Sequence, residues 1–197
     1  HLWAGCLRPM SDAAREIENL LFEYAERLDA GDIDGVATLF THGRICGVEN
    51  GPPETVFAGA DRVRQMYGMA TKLYEDGTPK TKHLTSNVRI RVDEAAGTAV
   101  GKAYYCVTQA TPELPLQVIV TGHYHDTFHR IDGVWWFDSR TMFIDQVGDV
   151  FQLGNTWIPE FVALQAVEPL DPWIARSPEV PRADFFPGVW DTNVVGG

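Results

Sequence analysis

Hydrophobic positions in the first third of the chain recur with the period of a helix. After Ser11 and Asp12, the residues Ile17, Leu20, Leu21, Tyr24 and Leu28 fall at i, i+3, i+4 spacing, and Gly31 supplies a stop. Such a stripe predicts an amphipathic helix with one buried face. Asp32 is placed to cap a second, short helix through Ile33, Val36, Leu39 and Phe40, and residues 59–73 repeat the pattern with Val63, Met66, Tyr67 and Ala70. Near Lys82 the period changes to two. Leu84, Val88, Ile90 and Val92 alternate with Thr85, Asn87, Arg89 and Arg91; residues 93–97 read as a turn; and residues 98–110, 116–131 and 134–145 continue as strands. Asp132-Gly133 between the last two is a hairpin signal, because both turn positions need a positive φ. Helices followed by a long meander predict an α+β fold, a cone-shaped, curved antiparallel sheet with the N-terminal helices on its concave face.

Beyond Asp145 the alternation stops. Six prolines from Pro159 to Pro187 are interleaved there with Trp157, Phe161, Trp173, Phe185, Phe186 and Trp190, more apolar surface than a solvated linker carries. Residues 148–197 are therefore expected to form a C-terminal arm that packs on the pocket or on a neighbouring subunit. Residues 11–147 read as the domain. Residues 1–10 read as an N-terminal extension or cloning remnant, with Met10 as a start.

At 45% hydrophobic and 11% aromatic over 197 residues, the chain can bury a real core. With 16 Lys plus Arg against 27 Asp plus Glu, its formal charge is −11, which argues against a phosphate-binding face and hence against nucleic acid. No run approaches the ~18 apolar residues of a membrane helix. Cys6, Cys46 and Cys106 are widely spaced and form no CxxC pair, as suits a reducing cytoplasm. Dinucleotide, phosphate-loop, serine-hydrolase and zincin motifs are all missing.

What remains is a set of histidines, acids and tyrosines. Tyr24 and Asp29 stand five apart at the end of the first helix, and His83 opens the first long strand. Strict alternation puts His83 on the polar side with Arg89 and Arg91; a bulge near Thr85 and Ser86 would turn it inward. His123, His125 and His129 share one side of a strand. No Cys or acid at ligand spacing completes them, so no metal or other cofactor is expected. Trp135, Trp136 and Phe137 suit core and pocket wall, and Asp138 and Arg140 share a strand face on which they can pair, Arg140 being a second candidate for anion stabilisation.

Three segments together, Tyr24-x4-Asp29-x2-Asp32, Lys82-His83-Leu84-x2-Asn87 and Tyr124-x-Asp126-x3-Arg130-x-Asp132-Gly133-x-Trp135, resemble the SnoaL-like branch of the nuclear-transport-factor-2-like, or cystatin-like, superfamily. The resemblance spans roughly residues 11–147. It is to members such as scytalone dehydratase, the bile-acid dehydratases and the lindane dehydrochlorinase, in which an Asp of the first helix stands beside a His of the strand. It implies His83 as general base, Asp29 as its orienting carboxylate, Tyr24 as a donor to a leaving hydroxyl or carbonyl, and Arg130 as a stabiliser of negative charge. Tyr105, Tyr124, Asp126, Phe128, Trp136 and Arg140 are the expected substrate contacts. The second histidine of scytalone dehydratase has no counterpart near Val107, Thr108 and Gln109, and its tyrosine next to the Asp is here Leu28. The function so implied is a cofactor-independent lyase that removes water, formaldehyde or halide from a hydrophobic aromatic or polycyclic molecule, a lignin-derived dimer among them. A ketosteroid-type isomerase and a non-catalytic binding or assembly module are the alternatives. The resemblance also implies a homo-oligomer, trimer before dimer.

Overall fold

The helical stripe becomes α1 (Asp12–Asp29), with Ile17, Leu21, Tyr24 and Leu28 on its buried side. These positions come from a computed structural model, which describes residues 12–112 and 114–148; the N-terminal extension and the C-terminal arm lie outside the described residues. Gly31, at φ +75°, ends the first helical segment where a Cβ would strike the Gly77 carbonyl oxygen, so only glycine turns here without strain. Asp32 caps α2 (Ile33–Thr38) as its spacing predicts, accepting from the Gly35 N–H at 2.8 Å. α3 (Gly59–Ala70) buries Val63, Met66, Tyr67 and Ala70.

Two strands escape the sequence pattern. β1 (Arg44–Cys46) and β2 (Val56–Ala58) are only three residues each, too short for a period to register. They extend the four long strands, β3 (Thr81–Asp93), β4 (Thr98–Gln109), β5 (Gln117–Ile131) and β6 (Val134–Val147), into a six-stranded sheet of order β2-β1-β6-β5-β4-β3. β1 runs parallel to β6, with Ile45 opposite Arg140, so the sheet is mixed and not wholly antiparallel as expected. The remaining pairs are antiparallel, and Asp132 and Gly133 take φ of 50° and 84° in the β5–β6 turn. Among the described residues no helix is long and apolar enough to cross a membrane.

The register of β3 decides where the chemistry lies. Ser86 pairs with Tyr104 but Arg89 with Lys102, so β3 carries one extra residue there, and Asn87 takes a left-handed φ of 52°. Before this bulge the odd-numbered residues Thr81 and His83 face α1; after it Val88, Ile90 and Val92 do. Leu84 is consequently thrown outward, 54% exposed, despite its place in the apolar alternation.

Candidate active site

Asp29 ends α1, and the first half of β3 lies across it. The two elements meet through one carboxylate: Oδ1 accepts from the Thr81 hydroxyl at 2.8 Å and lies 2.6 Å from His83 Nδ1, while Oδ2 accepts from the His83 backbone N–H at 2.8 Å. Both side chains are 8% exposed. Burial pushes the Asp29 carboxyl upward, but the His83 ring, its backbone N–H and the Thr81 hydroxyl outweigh that and hold it below the usual carboxylate range. Asp29 is thus an anion, and Nδ1 is the nitrogen that carries the ring proton toward it. Nε2 is then the basic nitrogen, the one not engaged by that carboxylate, on a side chain that lines the cavity.

The cavity is bounded by side chains of α1, α3 and strands β3 to β6. At its polar end stand His83, Thr81, Tyr24 and Tyr67, the two tyrosine hydroxyls hydrogen-bonded to each other. Tyr105 and Tyr124 form a stacked aromatic wall, ring centres 4.5 Å apart, with the Tyr105 hydroxyl tied to the Phe143 carbonyl at 2.9 Å. Leu28, Val107, Val120, Met142 and Ile144 supply the apolar remainder. The cavity volume is about 40 Å³, room for a few water molecules at ~10–15 Å³ each. Burial holds the Tyr124 phenol well above its usual pKa, so it stays neutral.

Behind the tyrosines lies a fully buried ion pair. Arg140 Nε and Nη2 donate to the two Asp126 oxygens at 3.0 and 2.8 Å, and the guanidinium lies 4.2 Å from the Tyr24 ring centre and 4.0 Å from that of Tyr124. Burial lowers the Arg140 pKa, but the Asp126 carboxylate more than offsets it and keeps the guanidinium charged. Its cation acts on the cavity through the two phenol rings, and Nη1 has no partner among the described residues.

The structure brings together four of the expected site residues, His83, Asp29, Tyr24 and Tyr124, with Tyr105 as a fifth. Others it places elsewhere. Arg130 is on the exposed end of β5, paired with Glu94 at 3.0 Å and lying over Trp135, because the β5–β6 hairpin tip is remote from the cavity. Trp136 faces outward against His42, since alternation sends Trp135 and Phe137 to the core instead. Phe128 is core, packed on Phe137, and does not reach the cavity. Asp126 is the counter-ion of Arg140, a partnership expected of Asp138, whose carboxylate instead accepts from Thr127 and lies 3.6 Å from Arg44. A β-bulge between Thr127 and Phe128 shifts the β5–β6 register and turns Arg140 inward and Asp138 outward. Tyr67 and Thr81 escaped sequence reasoning. Tyr67 reads as one more apolar position of α3, and Thr81 precedes the recognised motif by a residue. The outward histidines each have an acid, His123 with Asp145 at 2.9 Å, His125 with Glu49 at 3.6 Å and His129 with Asp138 at 3.9 Å. Among the described residues no three His, Cys, Asp or Glu side chains are grouped to hold a metal ion.

A helix-capped cone with a carboxylate-held histidine over a tyrosine-lined cavity is the arrangement that comparison with known proteins places in a family. The chain belongs to the SnoaL-like domain family, whose model matches residues 9–141. No curated protein matches the sequence. Among solved structures, a Mycobacterium tuberculosis protein of unknown function is similar at TM-score 0.58 and 20% identity, covering 79% of this chain and 88% of that one. A candidate scytalone dehydratase from Novosphingobium aromaticivorans is similar at TM-score 0.54 and 25% identity, covering 71% and 91%. The beta subunit of a candidate aromatic-ring-hydroxylating dioxygenase from the same organism is similar at TM-score 0.56 and 20% identity, covering 70% and 92%.

Proposed function

We propose that this protein is a cofactor-independent lyase in which His83 removes a proton from a small cyclic or aromatic substrate while a neighbouring group departs. The observation that carries the reading is the 2.6 Å contact of His83 Nδ1 with the buried Asp29 carboxylate, which supports Nε2 as the basic nitrogen of a side chain that lines the cavity. For water or halide, Nε2 takes a C–H proton, the electron pair of that bond forms the new double bond, and the leaving group departs with its own bonding pair. For formaldehyde, Nε2 takes the proton of a hydroxymethyl O–H, that pair forms the C=O of formaldehyde, and the pair of the broken C–C bond stays on the substrate, which is reprotonated there. Asp29 stabilises the imidazolium so formed. The Tyr24–Tyr67 hydroxyl pair protonates the leaving oxygen or holds a carbonyl oxygen as it gains charge. Arg140, against the Tyr24 and Tyr124 rings, eases the negative charge that builds on their hydroxyls as they donate.

Water is the first leaving group to test, since a candidate scytalone dehydratase is among the similar structures; formaldehyde and halide follow. A cavity of about 40 Å³ is smaller than the ~150 Å³ that one aromatic ring needs, so a cyclic substrate requires side chains of the wall to move. A screen of hydroxylated cyclic compounds by mass spectrometry tests the reading, a loss of one water, one formaldehyde or one hydrogen halide being expected. Turnover without mass change identifies an isomerase, which needs the same base and no leaving group. Turnover that survives His83→Ala at near-normal rate overturns the mechanism.

A further inference from the structure

The sheet face turned away from α1 carries its charge unevenly. Toward β5, β6 and β1 the basic side chains have acids, as with His123 and Asp145 or Arg44 and Asp138. Toward β3 and β4 they have none. Arg89 stands directly opposite Lys102, and Arg91 is two residues along, opposite Val100; none of these three cations pairs with a described residue. Like charges directly opposite on an antiparallel pair destabilise it, and in a chain of formal charge −11 carboxylates are abundant. The same half exposes apolar groups, Leu84, Val100, Tyr104 and, beside it on β5, Val118. A basic and apolar strip on an acidic protein, with no described helix or strand laid over it, is a surface awaiting a cover.

We propose that the cover is residues 149–197 of the same chain. Their composition is complementary to the strip: seven acids against two arginines, with seven Phe and Trp residues. They also start in the right place. The last described residue, Gly148, donates its N–H to the Ile119 carbonyl, next to Val118 on the exposed face. At ~3.3 Å per extended residue, the segment can reach any part of a sheet whose longest strand has 15 residues. A second copy seated on a two-fold axis through the same strip would set one cationic patch against another, so a two-fold partner is the poorer occupant.

Zero-length carbodiimide cross-linking tests this on the full-length protein, using an equal mixture of 15N-labelled and unlabelled chains and peptide mass spectrometry. Lysines occur only at 72, 80, 82 and 102, so residues 149–197 contain none, and a bond from Lys102 to an acid of that segment is unambiguous. The expected result is such a bond in peptides of uniform label, with a yield that falls about fivefold on Arg89→Glu with Arg91→Glu, or in roughly 1 M salt, because exposed pairs are weak and screened. Mixed-label peptides, absence of the Lys102 bond, or a yield unmoved by charge reversal and by salt would overturn the proposal.

Discussion

Asp29→Asn preserves the size of the side chain and changes what it can accept. The carboxylate takes three donors, the Thr81 hydroxyl, the His83 backbone N–H and His83 Nδ1. The asparagine has one acceptor oxygen and one NH2 donor group. The backbone N–H of His83 cannot reverse its role, so the amide oxygen must stay with it, and the NH2 then faces Nδ1 and the Thr81 hydroxyl. The hydroxyl rotates to accept. The imidazole can accept only by moving its proton from Nδ1 to Nε2, which blocks the base. Loss of the charge-assisted bond to the imidazolium alone is worth ~1.5–3 kcal/mol, about 10–150-fold in rate. With the wrong tautomer added, kcat should fall by ~10²–10⁴-fold. Turnover on a substrate found by the mass screen measures the first effect; long-range 1H–15N spectra of the His83 ring, which need no substrate, measure the second. A variant that keeps its ring proton on Nδ1, or keeps turnover within about threefold of the parent, would refute the reasoning.

Removing His83 and Asp29 together should cost little more than His83→Ala alone, because the pair acts as a unit; rate losses that multiply would show that the two act independently. Arg140→Met leaves Asp126 buried without its counter-ion and should cost ~3–5 kcal/mol in denaturant unfolding, much of it regained with Asp126→Leu added; a loss under about 1 kcal/mol would show that the pair is dispensable. Asp29 titrates lower folded than unfolded, so the stability it adds is full above the ordinary ~3.9 and fades as pH falls through its lower folded value. Asp29→Asn should flatten that acid limb of Tm against pH, and an unchanged limb would count against the direction of the shift. Deleting Asn87 removes the bulge; with Val88 and Ile90 held by the core, the first half of β3 must flip, carrying His83 outward and Leu84 inward. A cysteine placed at Leu84 should then lose its reactivity toward a thiol label, whereas continued labelling would mean that β3 absorbed the deletion elsewhere.

The three helices, the four long strands and the Asp132-Gly133 turn were legible because each expresses a local rule: a period of 3.6 or 2, a capping acid, a left-handed glycine. Tyr24, Asp29 and His83 were legible as a motif of types and spacing. Their meeting was implied by the resemblance and needed a bulge near Thr85 and Ser86, since plain alternation of β3 sends His83 to solvent; pairing with β4 locates the extra residue, at Asn87. The errors have the same origin. Arg130, Trp136 and Asp126 were assigned by residue type, but which face of β5 or β6 a residue occupies depends on bulges against neighbouring strands. β1 lies parallel to β6 although 95 positions separate Ile45 from Arg140, and Tyr67 meets Tyr24 from a different helix. Periodicity records the environment averaged along one element. Long-range register and the partner chosen by a buried polar group are set by closure of the whole sheet, so tertiary structure alone decided them.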